Sequence, residues 1–126
     1  PFYISQDAKD PERYVPIFVQ SGLGMPDRDY YLAKEGKLAD ARAKYVPHVA
    51  RMLVLAGVPQ ARATRAAEGV LAFETRLAQA HWTRVESRNE DKTYNNWTRA
   101  DFGRRAPGFD WNAYLTAAGL AEQGEF

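Results

Sequence analysis

The sequence predicts a mainly α-helical fold, in which a short N-terminal β-hairpin is followed by an antiparallel helix pair and two short helices. Two segments rich in β-branched and aromatic residues flank a turn-forming cluster near the start. Apolar residues then recur at helical spacing over two long stretches that a glycine and a proline separate. Two later segments begin at residues that commonly cap helices. The pattern is that of a fragment of a larger helical domain.

The β-hairpin is expected within residues 1–21. Residues 2–5 and 14–20 have the composition of strands, and the turn-prone residues 7–11 separate them. Pro16 has no backbone N–H to donate to a ladder, so the second strand is expected at a sheet edge.

The helix pair is expected over residues 33–81. The first helix spans about residues 33–56, where Pro47 removes one hydrogen bond and predicts a kink or a restart. Gly57 ends this helix and Pro59 opens the second, and so short a connection predicts antiparallel packing. The positions predicted to face inward are Leu38, Ala41, Tyr45, Val49, Met52, Leu53 and Ala56 in the first helix, and Ala63, Ala67, Val70, Leu71, Leu77, Ala78 and His81 in the second.

Residues 83–97 are polar and lack periodicity, so the sequence predicts a long loop there. Its length exceeds the usual connection, which suggests function or docking against further structure. The two short helices are expected over residues 98–120. Thr98 and Asp101 have the spacing of a capping box, and Asp110 is positioned to cap the last helix.

Composition excludes several classes of protein. Hydrophobic residues make up 45% and charged residues 26% of the chain, which is typical of globular proteins. No apolar run approaches the roughly 20 residues that a membrane helix needs. The formal net charge is +1 and the arginines alternate with acidic residues, so we expect no nucleic-acid partner. Cysteine is absent, which excludes disulfides and thiolate metal sites.

The whole chain, residues 1–126, is expected to be a single partial domain. It begins on Pro1 without an initiator methionine or a secretion signal, and it ends on Gly-Glu-Phe. This indicates an excerpt of a longer protein. The alternative is an independent small domain that has been trimmed for expression.

The most informative segment covers residues 21–32 and reads Ser-Gly-Leu-Gly-Met-Pro-Asp-Arg-Asp-Tyr-Tyr-Leu. Its two glycines can adopt positive φ and allow the backbone to turn sharply. The proline presets φ for entry into a helix, and the aspartates place negative charge near the helix start, where the dipole favours it. The predicted helix-entry turn comprises Gly22, Gly24, Pro26, Asp27 and Arg28.

The sequence offers no catalytic or metal-binding constellation. A zinc site needs three or four ligands, yet the two histidines, His48 and His81, have no ligand partner at helical spacing. We expect His48 to be a partly exposed helix residue and His81 to be a packed histidine. The serines lack a nucleophile motif, and Gly22-Leu23-Gly24 is followed by an acidic segment that would repel phosphate.

Glu74 is the most informative ionisable residue, because it falls near the centre of the apolar face of the second helix. A carboxylate there needs a hydrogen-bond or ionic partner. We predict that Glu74 fixes the following loop across the helix pair, although a general acid or base is the alternative. The loop residues proposed as its partners, and hence as a structural cluster, are Arg88, Asn89 and Tyr94, with Lys92 as a further candidate.

The aromatic residues have two interpretations. They could form a stacking surface for sugars or bases. Without a basic groove, packing onto a thin helical core or onto another part of the protein is favoured. These residues are Tyr30, Tyr31, Trp97, Phe102, Phe109, Trp111 and Tyr114.

Several blocks resemble the non-catalytic region of the neprilysin and endothelin-converting-enzyme family of zinc metallopeptidases, including its bacterial members. They occur in the family's order and cover nearly the whole chain. The Gly-Leu-Gly-Met-Pro-Asp-Arg-Asp-Tyr-Tyr segment is the most specific of them. The blocks are Gln-Asp-Ala-Lys-Asp at 6–10 leading into 21–32, Phe-Glu-Thr-Arg-Leu-Ala at 73–78, Glu-Ser-Arg-Asn-Glu-Asp-Lys-Thr-Tyr-Asn at 86–95, and the segment from Ala-Pro-Gly-Phe-Asp-Trp to Leu at 106–120.

The resemblance implies a function that the residues alone do not. In this family, such a segment helps to enclose a cavity in which a zinc-bound water hydrolyses oligopeptides. The zinc ligands lie in an H-E-x-x-H helix and a downstream glutamate, none of which matches a position here, so the resemblance implies that this chain binds no zinc and is inactive alone. It also implies the catalytic domain of the same polypeptide as partner, peptides as substrates of the parent, and a periplasmic, secreted or cell-surface location. The alternative is a free-standing helical interaction module.

Overall fold

A computed structural model describes residues 2–126 of the chain. The predicted architecture, mainly helical with an N-terminal hairpin, is confirmed. In order, the elements are β1 (Phe2–Gln6), β2 (Tyr14–Phe18), α1 (Asp29–Leu32), α2 (Gly36–Leu55), α3 (Gln60–Ala80), a 3-10 turn (Glu86–Arg88), α4 (Glu90–Thr93), α5 (Arg99–Arg105) and α6 (Trp111–Ala117).

The contacts divide the chain into two compact units. Unit 1 combines residues 2–20 with Asn89–Phe126, and unit 2 is Ser21–Arg88. The single partial domain expected from the sequence stays a prediction.

Unit 1 is built on the hairpin. β1 and β2 are antiparallel, with Phe2 opposite Phe18 and Ile4 opposite Pro16. The ring of Phe18 packs at 5.2 Å from that of Phe102, which is buried in α5. Most of the aromatic side chains between Asn89 and Phe126 thus form a core, as the favoured interpretation predicts. Phe109 is the exception, since 57% of it is exposed.

The two caps predicted for the short helices are confirmed. Asp101 accepts hydrogen bonds from the backbone N–H of Thr98 at 2.9 Å and from its hydroxyl at 2.7 Å, which completes a capping box on α5. The carboxylate of Asp110 accepts the N–H of Ala113 at 2.9 Å at the start of α6. The final residues then return to the segment before α5, where Phe126 and Trp97 exchange two backbone hydrogen bonds of 2.9 Å.

Unit 2 is built on the pair α2 and α3. A kink or a restart was predicted at Pro47; α2 is one unbroken helix with this proline inside it, so the restart is wrong and the kink stays a prediction. Small buried residues, Ala50 on α2 with Ala63 and Ala67 on α3, allow close packing. Met52, which the apolar pattern placed inside, is 51% exposed because it lies near the end of α2, and Ala56 is exposed just beyond that end.

The loop predicted over residues 83–97 contains local structure that the sequence pattern missed. The carboxylate of Glu86 accepts hydrogen bonds from the N–H of Thr83 at 3.0 Å and its hydroxyl at 2.8 Å, which shapes the 3-10 turn. The side chain of Asn89 accepts the N–H of Lys92 at 3.0 Å and caps α4. Short polar side chains thus organise a segment that has no apolar periodicity.

No helix within residues 2–126 combines the length and the apolar character that crossing a membrane requires.

Candidate functional site

Glu74 on α3 is the centre of a partly buried hydrogen-bond cluster in unit 2. Its Oε2 atom accepts hydrogen bonds from the hydroxyls of Tyr31 at 2.6 Å and Tyr45 at 2.9 Å. The two rings stand nearly perpendicular, with their centroids 6.4 Å apart. The carboxylate therefore joins α1, α2 and α3 at one point. We call Gly24, Tyr31, Tyr45 and Glu74 the Glu74 cluster.

Tyr31 also connects the cluster to the turn before α1. The residue is buried, and its hydroxyl accepts the backbone N–H of Met25 at 2.9 Å while it donates to Glu74. A phenol has one proton to donate and lone pairs to accept, so both functions of this hydroxyl are used. Met25 and Tyr31 also belong to the apolar core of unit 2, together with Ala78.

Gly24 allows the turn to approach this cluster closely. A Cβ atom built on Gly24 would lie 2.0 Å from the hydroxyl oxygen of Tyr45 and 3.2 Å from Oε1 of Glu74. Only a residue without a Cβ atom fits there. Positive φ was predicted for both glycines of the turn, but only Gly22 adopts it, at 93°, so the requirement at Gly24 is space rather than backbone conformation.

The remaining residues of the predicted helix-entry turn lie in the same place and hold it to α3. The carboxylate of Asp27 accepts the N–H of Asp29 at 2.9 Å, at the first residue of α1. The guanidinium of Arg28 donates to the carbonyl of Ala78 at 3.3 Å. Pro26 precedes α1 by three residues and so lies in the turn rather than at the first helical position.

Arg42 is a residue of this site that sequence reasoning missed. From α2, its guanidinium donates to the carbonyls of Tyr31 at 2.6 Å, Ala33 at 2.8 Å and Tyr30 at 3.2 Å. These carbonyls end the short helix α1, where four C=O groups lack helical partners. A cation near a helix C-terminus is a known stabilising pattern, but nothing in the sequence pairs a residue of α2 with α1.

The electrostatics keep both tyrosines as donors. Burial, followed by the hydrogen bond to Glu74, raises the pKa of Tyr31 and that of Tyr45 above the ordinary value for tyrosine. Both hydroxyls therefore remain protonated at neutral pH. Two hydroxyl donors that share one acceptor form an anchor, and the Glu74 cluster contains no second carboxyl group to act as the partner of an acid or base.

The pairing of Glu74 with the loop residues Arg88, Asn89 and Tyr94 stays a prediction, and these residues have contacts of their own. The hydroxyl of Tyr94 donates a hydrogen bond to Asp7, at 2.9 Å from Oδ1. Asn89 caps α4, and Arg88 is the last residue of the 3-10 turn. The tyrosines that bind Glu74 were not predicted, because they lie 43 and 29 residues earlier in the chain, beyond the range of any local pattern.

Asp7 and Tyr94 form a second polar cluster, within unit 1. The backbone N–H of Lys9 donates to Asp7 at 2.9 Å and, with the Tyr94 hydroxyl, lowers the pKa of the aspartate. The ammonium of Lys9 lies 4.3 Å from the centre of the Tyr94 ring. The cluster joins the hairpin to the residue that follows α4, and its chemistry is again that of an anchor.

The residues that the structure describes do not fit a zinc ion. Over residues 2–126, no group of three or more histidine, aspartate or glutamate side chains is close enough to hold a metal. His48 is exposed on α2, and Nε2 of His81 lies 3.1 Å from the carbonyl of Ser21. A protein zinc site takes three or four such ligands.

Comparison with known proteins gives one consistent result. A family model described as peptidase family M13 matches residues 1–125. Endothelin-converting enzyme 1 of Cavia porcellus is 34% identical over 116 residues, which are 90% of this chain and 15% of that protein. The chain therefore spans about 15% of the length of this curated relative.

Two solved structures of the zinc metalloprotease Zmp1 of Mycobacterium tuberculosis have the same fold over the whole chain. One is an open state and the other a complex with an inhibitor. Both are 37% identical with a TM-score of 0.90, and each covers 100% of this chain. The chain corresponds to 20% of the open-state chain and 19% of the inhibitor complex.

Proposed function

The chain belongs to peptidase family M13, as a segment of its N-terminal region, and we propose that it is a non-catalytic part of a zinc metalloendopeptidase that cleaves oligopeptides. In that enzyme it helps to form the wall or the lid of the substrate cavity. The observation that carries the proposal is the fold match to Zmp1, with a TM-score of 0.90 over all of this chain but only 20% of the other.

The distribution of chemistry supports a structural role within such an enzyme. Hydrolysis by a zinc peptidase needs a metal-bound water and a general base. Within residues 2–126 no group of side chains can supply the ligands of a metal ion, and the carboxylate of Glu74 accepts hydrogen bonds from two tyrosines. The parent's zinc and its chemistry therefore belong to the catalytic domain of the same polypeptide, which is the partner that we propose.

The Glu74 cluster would give a cavity wall the rigidity it needs. Three helices and the turn before α1 meet at one carboxylate, and Arg42 fixes the end of α1 to α2. Elements fixed at several points move as one body, which a wall or lid requires. We also propose a periplasmic, secreted or cell-surface location for the parent. The alternative of a free-standing interaction module is not favoured by the comparisons.

The experiment that tests the proposal measures cleavage by the parent protein. We expect it to cleave a quenched linear oligopeptide, to lose activity on chelation and to regain it with zinc. The same peptide sequence inside a folded protein should resist cleavage, because an enclosed cavity admits only flexible chains. Absence of zinc-dependent cleavage, or equal cleavage of the folded protein, would contradict the proposal.

A pair of variants tests the contribution of this segment. Glu74→Ala removes the common acceptor of two tyrosines, whereas Glu68→Ala changes an exposed glutamate six residues away on the same helix. In the parent, Glu74→Ala should leave the zinc content unchanged but alter kcat/KM for long peptides. Glu68→Ala should alter neither the zinc content nor kcat/KM. Unchanged peptide kinetics in Glu74→Ala, despite faster hydrogen exchange in the turn, would argue against a role in the wall.

A further inference from the structure

The outer edge of β1 is open for hydrogen bonding. In the part of the chain that the structure describes, the sheet has two strands, so β1 has β2 on one side only. The N–H of Asp7 donates to the carbonyl of Arg13 across the ladder at 2.9 Å. Because backbone groups alternate along a strand, the amides of Ser5 and Tyr3 also point towards β2. Those of Ile4 and Gln6 point outward.

The proline in β2 confirms this alternation and closes the opposite edge. Pro16 lies opposite Ile4, at a pair where neither residue donates to the other strand. The backbone nitrogen of Pro16 therefore faces the outer edge of β2. Because it carries no hydrogen, a further strand could not form a continuous ladder along that edge. Natural sheets use an edge proline in this way to prevent unwanted pairing. β1 carries no proline, and both N–H and C=O groups remain along its edge.

Two apolar side chains of β1, Tyr3 and Ile4, are unusually exposed. Ile4 is 53% exposed and Tyr3, on the other face of the ribbon, is 52% exposed. A two-stranded ribbon is marginally stable in water, and an exposed apolar edge is a template for association. Both the backbone and the side chains of β1 are therefore suited to contact with another extended segment.

We propose that a third strand pairs with β1, and that it comes from the part of the parent polypeptide outside residues 1–126. It would bond to the outward N–H and C=O groups of Phe2, Ile4 and Gln6 and cover the apolar side chains of β1. This inference rests on the proposed function in one respect, namely that the parent is longer than this chain. The relative quoted above supports this, because the chain spans 15% of it.

The parent polypeptide is favoured over other occupants for a physical reason. A peptide substrate would cover the edge only while bound, and a second copy only at high concentration, so the apolar edge would be exposed at other times. A segment of the same polypeptide acts at a high effective concentration and covers the edge permanently. Pairing by strand addition needs no particular sequence beyond alternating apolar side chains.

The test is amide hydrogen exchange at single-residue resolution in the parent protein, without peptide and at high dilution. The amides of Ile4 and Gln6 should exchange at least about tenfold more slowly than unprotected amides of the same sequence. The amide of Ser5 is the internal control, because β2 protects it in either case. Fast exchange at Ile4 and Gln6 with a protected Ser5 would overturn the proposal.

Two further measurements separate the other occupants. Protection that appears only as protein concentration rises would indicate a second copy and overturn the proposal. Protection that appears only when the quenched oligopeptide is added to zinc-free parent would indicate a substrate and also overturn it. Zinc-dependent cleavage, measured on the same preparation, tests the proposed function separately. A failure of the proposed function can therefore be distinguished from a failure of the strand pairing.

A matched pair of variants provides a second readout. Ile4→Pro removes an outward N–H from the β1 edge and none that points towards β2, a change that an unpaired edge tolerates. Ile4→Val keeps that N–H with a similar side chain. If a third strand is present, Ile4→Pro should speed exchange at Gln6 in the parent, whereas Ile4→Val should not. Equal exchange at Gln6 in both variants would contradict the pairing.

Discussion

Among the glycines of unit 2, Gly24 is the one at which an added Cβ atom would meet the closest contact. A methyl group at this position would lie 2.0 Å from the hydroxyl oxygen of Tyr45, so either the turn or the ring must move. We predict that Gly24→Ala lowers the free energy of unfolding of the turn by about 1–3 kcal/mol. The measurement is hydrogen exchange at the amide of Met25, which should become about 5- to 150-fold faster.

Gly69 provides the matched control for that prediction. It lies inside α3 with open space around its Cα and without positive φ. Gly69→Ala should therefore stabilise the helix by about 0.5–1 kcal/mol, because alanine loses less backbone entropy than glycine on forming a helix. If Gly24→Ala and Gly69→Ala both made exchange at Met25 faster, the close approach of Gly24 to Tyr45 would not explain the effect of Gly24→Ala.

Glu74 gives a second prediction at this scale. Glu74→Ala leaves two half-buried or buried tyrosine hydroxyls without their acceptor, so it should cost about 2–4 kcal/mol. Glu74→Gln keeps an acceptor oxygen and should cost less. Exchange rates at Met25 in these variants and in Glu68→Ala measure the difference. If the Met25 amide exchanged as slowly in Glu74→Ala as in Glu68→Ala, the Glu74 cluster would contribute no stability.

Sequence reasoning found Glu74 but not its partners, for a physical reason. A 3.6-residue period places a carboxylate on an apolar face, and burial then demands a partner. The identity of the partner depends on which helices meet, and Tyr31 and Tyr45 come from two different helices. The clash that Gly24 avoids likewise exists only after packing, whereas the φ of Gly22 could be expected from a turn.

Among the elements, α2 shows the limit of local rules. Proline inside a helix removes a hydrogen bond and crowds the preceding turn, yet α2 continues through Pro47. Packing against α3 is the tertiary contribution that can hold such a helix together. Pro47→Ala should thus stabilise α2 by about 1–3 kcal/mol.

Thermal unfolding measures the Pro47 effect, with Lys44→Ala as the control. Lys44 is exposed on the same helix, and lysine and alanine both favour helices. The melting temperature of the Lys44→Ala protein should therefore hardly change. A melting temperature for Pro47→Ala equal to or below that of the natural chain would show that the proline fits a bend that packing requires.

The capping box of α5 predicts a pH dependence. The hydrogen bonds from the Thr98 side chain and backbone, followed by that from Arg104, lower the pKa of Asp101 from 3.8 to about 2. A carboxylate with a lowered folded-state pKa stabilises the fold above the unfolded value and loses this contribution as the pH falls towards the folded value. The contribution should be present above pH 4 and disappear between about pH 4 and 2.

Comparison with Asp101→Asn isolates that contribution. The variant lacks the titrating group, so the difference in melting temperature between the two proteins should shrink as the pH falls from 4 towards 2. If the difference in melting temperature stayed constant from pH 4 to pH 2, the carboxylate of Asp101 would not be the source of that difference.

The element bounds show where sequence patterns are reliable. The hairpin, α3 and both short helices were predicted because turns, prolines and caps mark their ends locally. The 3-10 turn and α4 were missed because they are stabilised by single polar side chains, Glu86 and Asn89, rather than by an apolar face. Such side chains also occur in irregular loops, so sequence alone does not distinguish the two cases.

For the whole molecule, the sequence predicted family and fold class better than the function of any residue. The family blocks extend through nearly the whole chain, and the family match covers residues 1–125. A cavity, however, is formed by surfaces from distant parts of a polypeptide, and this chain spans about 15% of the curated relative described above. No pattern within 126 residues can therefore identify which of its side chains face a substrate.

The central claim is that this segment helps to enclose a cavity whose zinc is bound by another part of the polypeptide. The most direct test is a structure of the parent protein with zinc and a peptide-like inhibitor, in which anomalous scattering locates the metal. We predict that every protein ligand lies outside residues 1–126 and that this segment borders the inhibitor-containing cavity. Zinc bound to His48 or His81, or a cavity formed without this segment, would contradict the account.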